Sequence, residues 1–168
     1  MHCDSLKSIT LNDYITRIED EAFYGCISLK FLEIPQSVIY IGYNIVFGCS
    51  NLDALILEDG IERIALYSAR PFNGAPIKKL HVGRQFDLAS STVFKGHQYT
   101  PLAEVTINVG AIDEQMFSNC IIQNLRFGEK VEEIATNAFR ECTFSTLVIP
   151  QNVNSIGNGA FYNSTISK

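Results

Sequence analysis

Five apolar positions return every 23 residues, and this recurrence confines the chain to a coil of stacked units. Leu29, Leu32, Ile34, Val38 and Ile41 come back as Leu52, Leu55, Leu57, Ile61 and Ile64, and one step earlier as Leu6, Ile9, Leu11, Ile15 and Ile18. Composition alone does not keep five columns in phase over three units. Within a unit the apolar spacing is short and β-like. Leu32-Glu33-Ile34 and Leu147-Val148-Ile149 read as strand cores whose alternate side chains face inward. Val38 to Ile41 is a second short extended piece, and Pro35-Gln36-Ser37 and Pro150-Gln151-Asn152 turn the chain. Glu21 to Cys26 leaves room for no more than one helical or 3₁₀ turn. A single unit buries too little apolar surface to offset the entropy of ordering its own backbone, so the units must lie on one another.

The chain divides into units at about 1–26, 27–49, 50–75, 76–97, 98–120, 121–142 and 143–164, with 165–168 opening another, all within a single domain over 1–168. The third unit carries three extra residues before Phe72, which predicts a loop near Ser68 to Pro71. The fourth is the most worn. It places Ile77, Leu80, Val82, Phe86 and Ala89 in the apolar columns, Val93-Phe94 where Ala22-Phe23 stood, and His97 at the cysteine position. Pro101 marks a second inserted loop, after which the fifth unit restores the phase at Met116-Phe117 and Cys120. The sixth supplies Leu125, Phe127, Val131, Ile134, Ala138, Phe139 and Cys142. The seventh supplies Leu147, Ile149, Val153, Ile156, Ala160 and Phe161, with Ser164 in the cysteine column. Leu6 to Cys26 is already in phase and neither flank turns polar, so the array is expected to be longer than this chain. Its apolar ends predict possible end-to-end self-association.

Charge and cysteine usage narrow the function classes. Against 18 acidic residues stand 13 basic ones, with no like-charge block, which disfavours nucleic acid because phosphate binding needs clustered Lys and Arg. No apolar run approaches the roughly 20 residues that cross a bilayer, and the start, MHCDSLKSITL, lacks the basic-then-apolar layout of a secretion signal. Cys3, Cys26 and Cys49 are 23 apart, and Cys120 and Cys142 are 22 apart. One column of equivalent residues sits at the ~4.8 Å spacing of neighbouring strands, too far for disulfide β-carbons, which approach to about 3.8 Å. The five are expected to be free, buried thiols acting as small hydrophobes. No pair has zinc-ligand spacing, and no Gly-rich phosphate loop or local nucleophile signature appears, so no metal, cofactor or reaction is expected.

The order L-x-x-L-x-I-P, then V-x-x-I-G, then A-F-x-x-C resembles the BspA-type (treponemal-type) leucine-rich repeats. It is carried by Leu29-Leu32-Ile34-Pro35, Val38-Ile41-Gly42, Ala22-Phe23-Cys26, Ala138-Phe139-Cys142 and Val153-Ile156-Gly157-Ala160-Phe161. The resemblance covers nearly the whole chain. Its departures are the worn fourth unit, the insertions near Pro71 and Pro101, Phe47 placed one residue late, and Ser164 for cysteine. It implies a leucine-rich-repeat solenoid: a right-handed coil of about seven repeats, mostly β with short turns or 3₁₀ segments, its parallel sheet on the concave face. Kinship further implies a non-enzymatic surface or secreted protein that adheres to a host or cell-surface protein or glycan. A structural spacer that presents another domain and binds nothing is the alternative.

On a concave sheet the residues that alternate with the inward pair form columns open to a partner. The candidates are Phe31 and Glu33 in the second unit, Ile56 and Glu58 in the third, Lys79 and His81 in the fourth, Glu104 in the fifth, Arg126 in the sixth and Val148 in the seventh. Phe31 and Ile56 are the apolar spot that solubility does not require, either a partner anchor or a cross-strand pair packed on itself. His81 with Lys79 and Glu104 can be drawn as an acid–base group, though no motif fixes a nucleophile beside it. Phe23, Phe94, Phe117, Phe139 and Phe161 keep the phase of the inward residues and are expected in the core rather than as a stacking platform. Asn163-Ser164-Thr165 has the form of a glycosylation sequon.

Overall fold

The computed structural model describes residues 3–68, 70–87, 92–95 and 100–167; Ala89 and His97 lie outside them. In chain order the strands are β1 (Arg17–Ile18), β2 (Phe31–Ile34), β3 (Tyr40–Ile41), β4 (Ala54–Leu57), β5 (Ala65–Leu66), β6 (Lys79–Val82), β7 (Leu102–Ile107), β8 (Ala111–Ile112), β9 (Ile121–Phe127), β10 (Glu133–Ile134), β11 (Thr143–Thr146), β12 (Ser155–Ile156) and β13 (Thr165–Ile166). A seven-stranded parallel sheet in the order β13-β11-β9-β7-β6-β4-β2 forms the front, so each circuit of the chain adds one strand beside the last. The chain is a β-solenoid, and no helix occurs among the described residues.

Register across the front follows the repeat. Leu32, Leu55, Leu80, Val105 and Leu125 stand in one row, and Ile34, Leu57, Val82, Ile107 and Phe127 in the next but one. Both rows point inward and are buried as far as β7; in β9, Leu125 and Phe127 are only partly covered. A third inward row, Leu102, Ile122 and Phe144, carries the core into the later units, and the repeat arithmetic did not reveal its last two members. The seventh unit departs from expectation. Its strand is Thr143–Thr146, so Leu147-Val148-Ile149 follows the ladder rather than forming it, and Val148 is 75% exposed. Ile156, expected inward, is 54% exposed in the last back strand.

Between front and back the chain turns through two consecutive tight turns, not a 3₁₀ segment. In the first unit the Tyr24 N–H donates to Glu21 O and the Cys26 N–H to Phe23 O, while Glu21 and Gly25 are left-handed at φ 57° and 69°. The same two positions are left-handed at Asn137 and Glu141, and at Gly159 and Asn163. A left-handed residue cannot propagate a helix, and the pair keeps the segment flat enough to bond its neighbour. Accordingly the Phe117 N–H donates to Ala138 O and the Phe139 N–H to Ala160 O.

These turns carry the phenylalanine column into the core. Phe72, Phe94, Phe117, Phe139 and Phe161 stack ring on ring at 5.3–5.6 Å between centroids. Val46 fills the place below Phe72, and the displaced Phe47 stacks outside on Tyr24. The cysteine column has a bonding role as well as a packing one. The thiols of Cys49, Cys120 and Cys142 donate to the carbonyls of Phe23, Phe94 and Phe117 at 2.9–3.0 Å. Ser164 donates to Phe139 O in the same way, which is why a hydroxyl can stand in the column. None of the five cysteines forms a disulfide, but Cys3 is exposed and not buried as expected, because it sits on the outermost unit. Burial, and then contact with Cys3, push the Cys26 thiol up to about 12, and burial pushes Cys142 to about 12.

The back is where the repeat breaks. Among the described residues, β1-β3-β5 and β12-β10-β8 are separate three-stranded ladders. Ile41 pairs with Leu66, two residues beyond the Ile64 that a 23-residue step reaches, and Ile64 instead bridges forward to Phe86. The extra residues of the third unit are therefore taken up partly ahead of β5, not all in a loop near Ser68 to Pro71. Phe86 belongs with Ile64, not with Val38 as the columns had it. Ile61, expected in the core, is 96% exposed.

Arg84 takes the vacated interior. It is 1% exposed, passes over Gly60 and donates from its two terminal nitrogens to Gln36 O and Val38 O, two units back. Its Nε has no hydrogen-bond partner among the described residues, and burial lowers the guanidinium pKa, with Glu62 and Glu58 opposing. Arg63 reaches the other way, to Asp87 at 2.9 Å, to Phe86 O, and to Asp113 at 3.3 Å two units ahead. Two arginines pointing in opposite directions thus stitch the seam.

Candidate functional site

Outward positions of the front strands line up in two rows. The first is Phe31, Ala54, Lys79, Glu104 and Asn124; the second is Glu33, Ile56, His81, Thr106 and Arg126. Alternation along each strand puts these side chains on the solvent side, opposite the buried rows. Phe31, Ala54, Ile56, Lys79, His81 and Glu104 surround one shallow depression of about 370 Å³, its floor formed by the backs of Leu55 and Leu80. Phe31 stands diagonal to Ile56, two residues along the neighbouring strand from its register partner Ala54, and remains 38% exposed.

Six of the nine residues singled out from the sequence are thereby placed in or directly beside this depression: the five above that were named, and Glu33, paired with Ile56. Glu58 turns away and accepts the Gln36 N–H at 3.0 Å, closing the turn of the unit before it. Arg126 lies two strands beyond His81 in the second row. Val148 is not in the sheet.

The acid–base drawing of His81 changes partner. Glu104 pairs with Lys79 at 3.4 Å, while His81 Nε2 lies 2.8 Å from Asp59 Oδ1. Asp59 also accepts from Asn108 Nδ2 at 2.5 Å and faces Lys130 Nζ at 3.5 Å. This grouping exists because Gly83 and Gly128 leave room: a Cβ on Gly83 would lie 2.3 Å from Asp59 Oδ1, and one on Gly128 2.2 Å from Asn108 Oδ1. Burial raises the Asp59 pKa, but hydrogen bonds from His81 and Asn108 and the Lys130 charge outweigh it, so the carboxyl is held below its ordinary value. Asp59 and Lys130 escaped sequence reasoning because each sits just past a strand end, outside any column. Gly83 and Gly128, one and three units on from Asp59, were the available signal.

His81, Thr106, Asn108, Glu129 and Lys130 line a second hollow of about 300 Å³ that continues from the first. Among the described residues no three or more His, Cys, Asp or Glu side chains are grouped to hold a metal ion, and no helix is long and apolar enough to cross a membrane. Chemically the surface offers apolar contact, hydrogen bonds and fixed charge. Asn163, the sequon residue, is exposed on a left-handed turn.

Comparison with known proteins bears on the architecture. No curated protein matches the sequence. Among solved structures, the chain is similar to the crystal structure of a leucine rich cell surface protein from Faecalibacterium prausnitzii A2-165, at 18% identity and a TM-score of 0.47. The match covers 94% of this chain and 43% of that one, so the chain spans less than half of that protein's length. The family described as BspA type leucine rich repeat region (6 copies) matches residues 1–100 and 88–168. With the inward leucine rows, the A-F turns and the cysteine column all observed in stacked register, this chain belongs to the BspA-type leucine-rich repeat family.

Proposed function

We propose that the chain is a non-enzymatic protein-interaction module, part of a surface or secreted adhesin-like protein, whose partner docks on the concave-side sheet. The observation that carries this reading is the depression around Phe31, Ala54 and Ile56. Packing does not need an exposed phenylalanine there, because the core below is already closed by Leu32, Leu55 and Leu80. Apolar exposure beside fixed charges is the usual composition of a protein-binding spot. Family membership supports the interaction role, and a surface or secreted setting follows the habit of such repeats.

The test is a binding screen of the chain against immobilised matrix proteins and glycans, repeated with Phe31→Ala and Glu33→Lys. Binding weakened by both variants supports the sheet as the site, and binding unchanged by both moves the site elsewhere. A chain that binds nothing in the screen is a spacer.

A further inference from the structure

Of the charged side chains on the outward rows of the front strands, Lys79 and Glu104 neutralise each other, and His81 is engaged by Asp59. Glu33 and Arg126 remain, each exposed and each without a hydrogen-bond or ion-pair partner among the described residues. Both stand in the same row, Glu33 at one end and Arg126 at the other, with Ile56, His81 and Thr106 between them. Four strand intervals of ~4.8 Å separate them by roughly 19 Å. An extended polypeptide advances ~3.3 Å per residue, so side chains about six residues apart span that distance.

We infer that the partner, on the reading proposed above, presents an extended segment lying across the strands, with a basic side chain at Glu33, an apolar one beside it in the Phe31–Ile56 depression, and an acidic one about six residues away at Arg126. His81 and Thr106 supply polar contacts along the middle of the path. The segment's own dipole fixes its direction, because reversing it sets like charges against both ends. The depression lies at the Glu33 end, which places the apolar residue two positions from the base, on the same face of the segment, rather than near the acid.

The probe is a blocked heptapeptide, Arg-Gly-Leu-Ser-Gly-Ser-Glu, whose first, third and seventh side chains share one face when extended, titrated into ¹⁵N-labelled protein beside two controls in which the terminal Glu becomes Arg or the terminal Arg becomes Glu. The expected result is saturable shifts at the Ile56, His81 and Thr106 amides, with the mixed peptide binding about threefold to fivefold tighter than either control, the size of one exposed ion pair. Glu33→Lys should transfer the preference to the peptide with two acids, Arg126→Glu to the peptide with two bases, and the double swap should restore the mixed one. Equal affinities for all three peptides, or no shift along that row with any of them, overturns the inference. A protein ligand whose binding falls with Phe31→Ala yet ignores both charge reversals overturns the charged row alone and leaves the docking face standing.

Discussion

Front and back of this solenoid are built by the same circuits of chain, yet the front sheet runs through seven strands without a break while the back, among the described residues, is cut into two ladders. The front strands β2, β4, β6 and β7 are four residues or longer and bury two or three side chains each, so a one-residue slip there would turn several leucines to solvent. Back strands are two residues long and bury at most one side chain. Register is held in proportion to what a slip would expose, and insertions are absorbed where little is at stake. The third unit shows the rule in one place: its front strand keeps the 23-residue step to Leu55, and its back strand moves two residues to Leu66.

Arg84→Ala should break the contrast most severely. It removes the side chain that fills the seam and takes the donors from one buried and one partly buried carbonyl, at a cost of about 3 to 5 kcal/mol. Urea unfolding with alkylation of Cys49 and Cys120, one on each side of the seam, reads the effect. The two thiols should become reactive at different urea concentrations in the variant and together in the parent. Gly42→Ala comes next. Its Cβ would lie 2.4 Å from the Asp20 backbone nitrogen, so about 1 to 3 kcal/mol should be lost, whereas Gly110→Ala, with open space around it, should leave the thermal midpoint nearly unchanged.

Smaller effects sharpen the same comparison. Asp59 ties the front edge of the third unit to the fifth and sixth, and its folded pKa lies below its ordinary value of 3.8. Its stabilisation is therefore complete above that value and lost as the pH falls through the lower folded one. Asp59→Asn should depress the thermal midpoint at pH 7 by no more than about 1 kcal/mol equivalent, and the difference from the parent should vanish in acid. Smallest of all, Gln115→Asn should stabilise the chain by about 0.5 kcal/mol in denaturant titration, because Gln115 holds φ 57° and asparagine tolerates the left-handed region better.

How far the sequence could be read follows the same division. The leucine rows of the front were legible because a strict period in a buried strand has one solution, and the outward candidates Phe31 to Arg126 followed from alternation. The seam was not legible. Ile64 and Leu66 are both apolar and two apart, so either satisfies the column, and nothing local says that one bonds forward and the other back. Ile61 fitted the period and is exposed because a charged side chain from the next unit fills its place, which no hydropathy pattern registers. In the candidate site, the partner of His81 was missed for a related reason: Asp59 lies past the end of its strand, where the repeat no longer dictates direction.

Repeat arrays grow and shrink by copying whole units, and in most of this chain a copied unit would find every ladder bond and stacked ring waiting for it. At the seam it would not. Arg84 must meet carbonyls two units behind, and Arg63 must meet a carboxylate two units ahead, so a unit gained or lost between Gln36 and Asp113 would leave both reaching for the wrong neighbour. The crossed arginines thus act as a fixed landmark within an otherwise extensible series: length can vary on either side of them, while the stretch that carries the Phe31–Ile56 depression and the His81 group is inherited as one block.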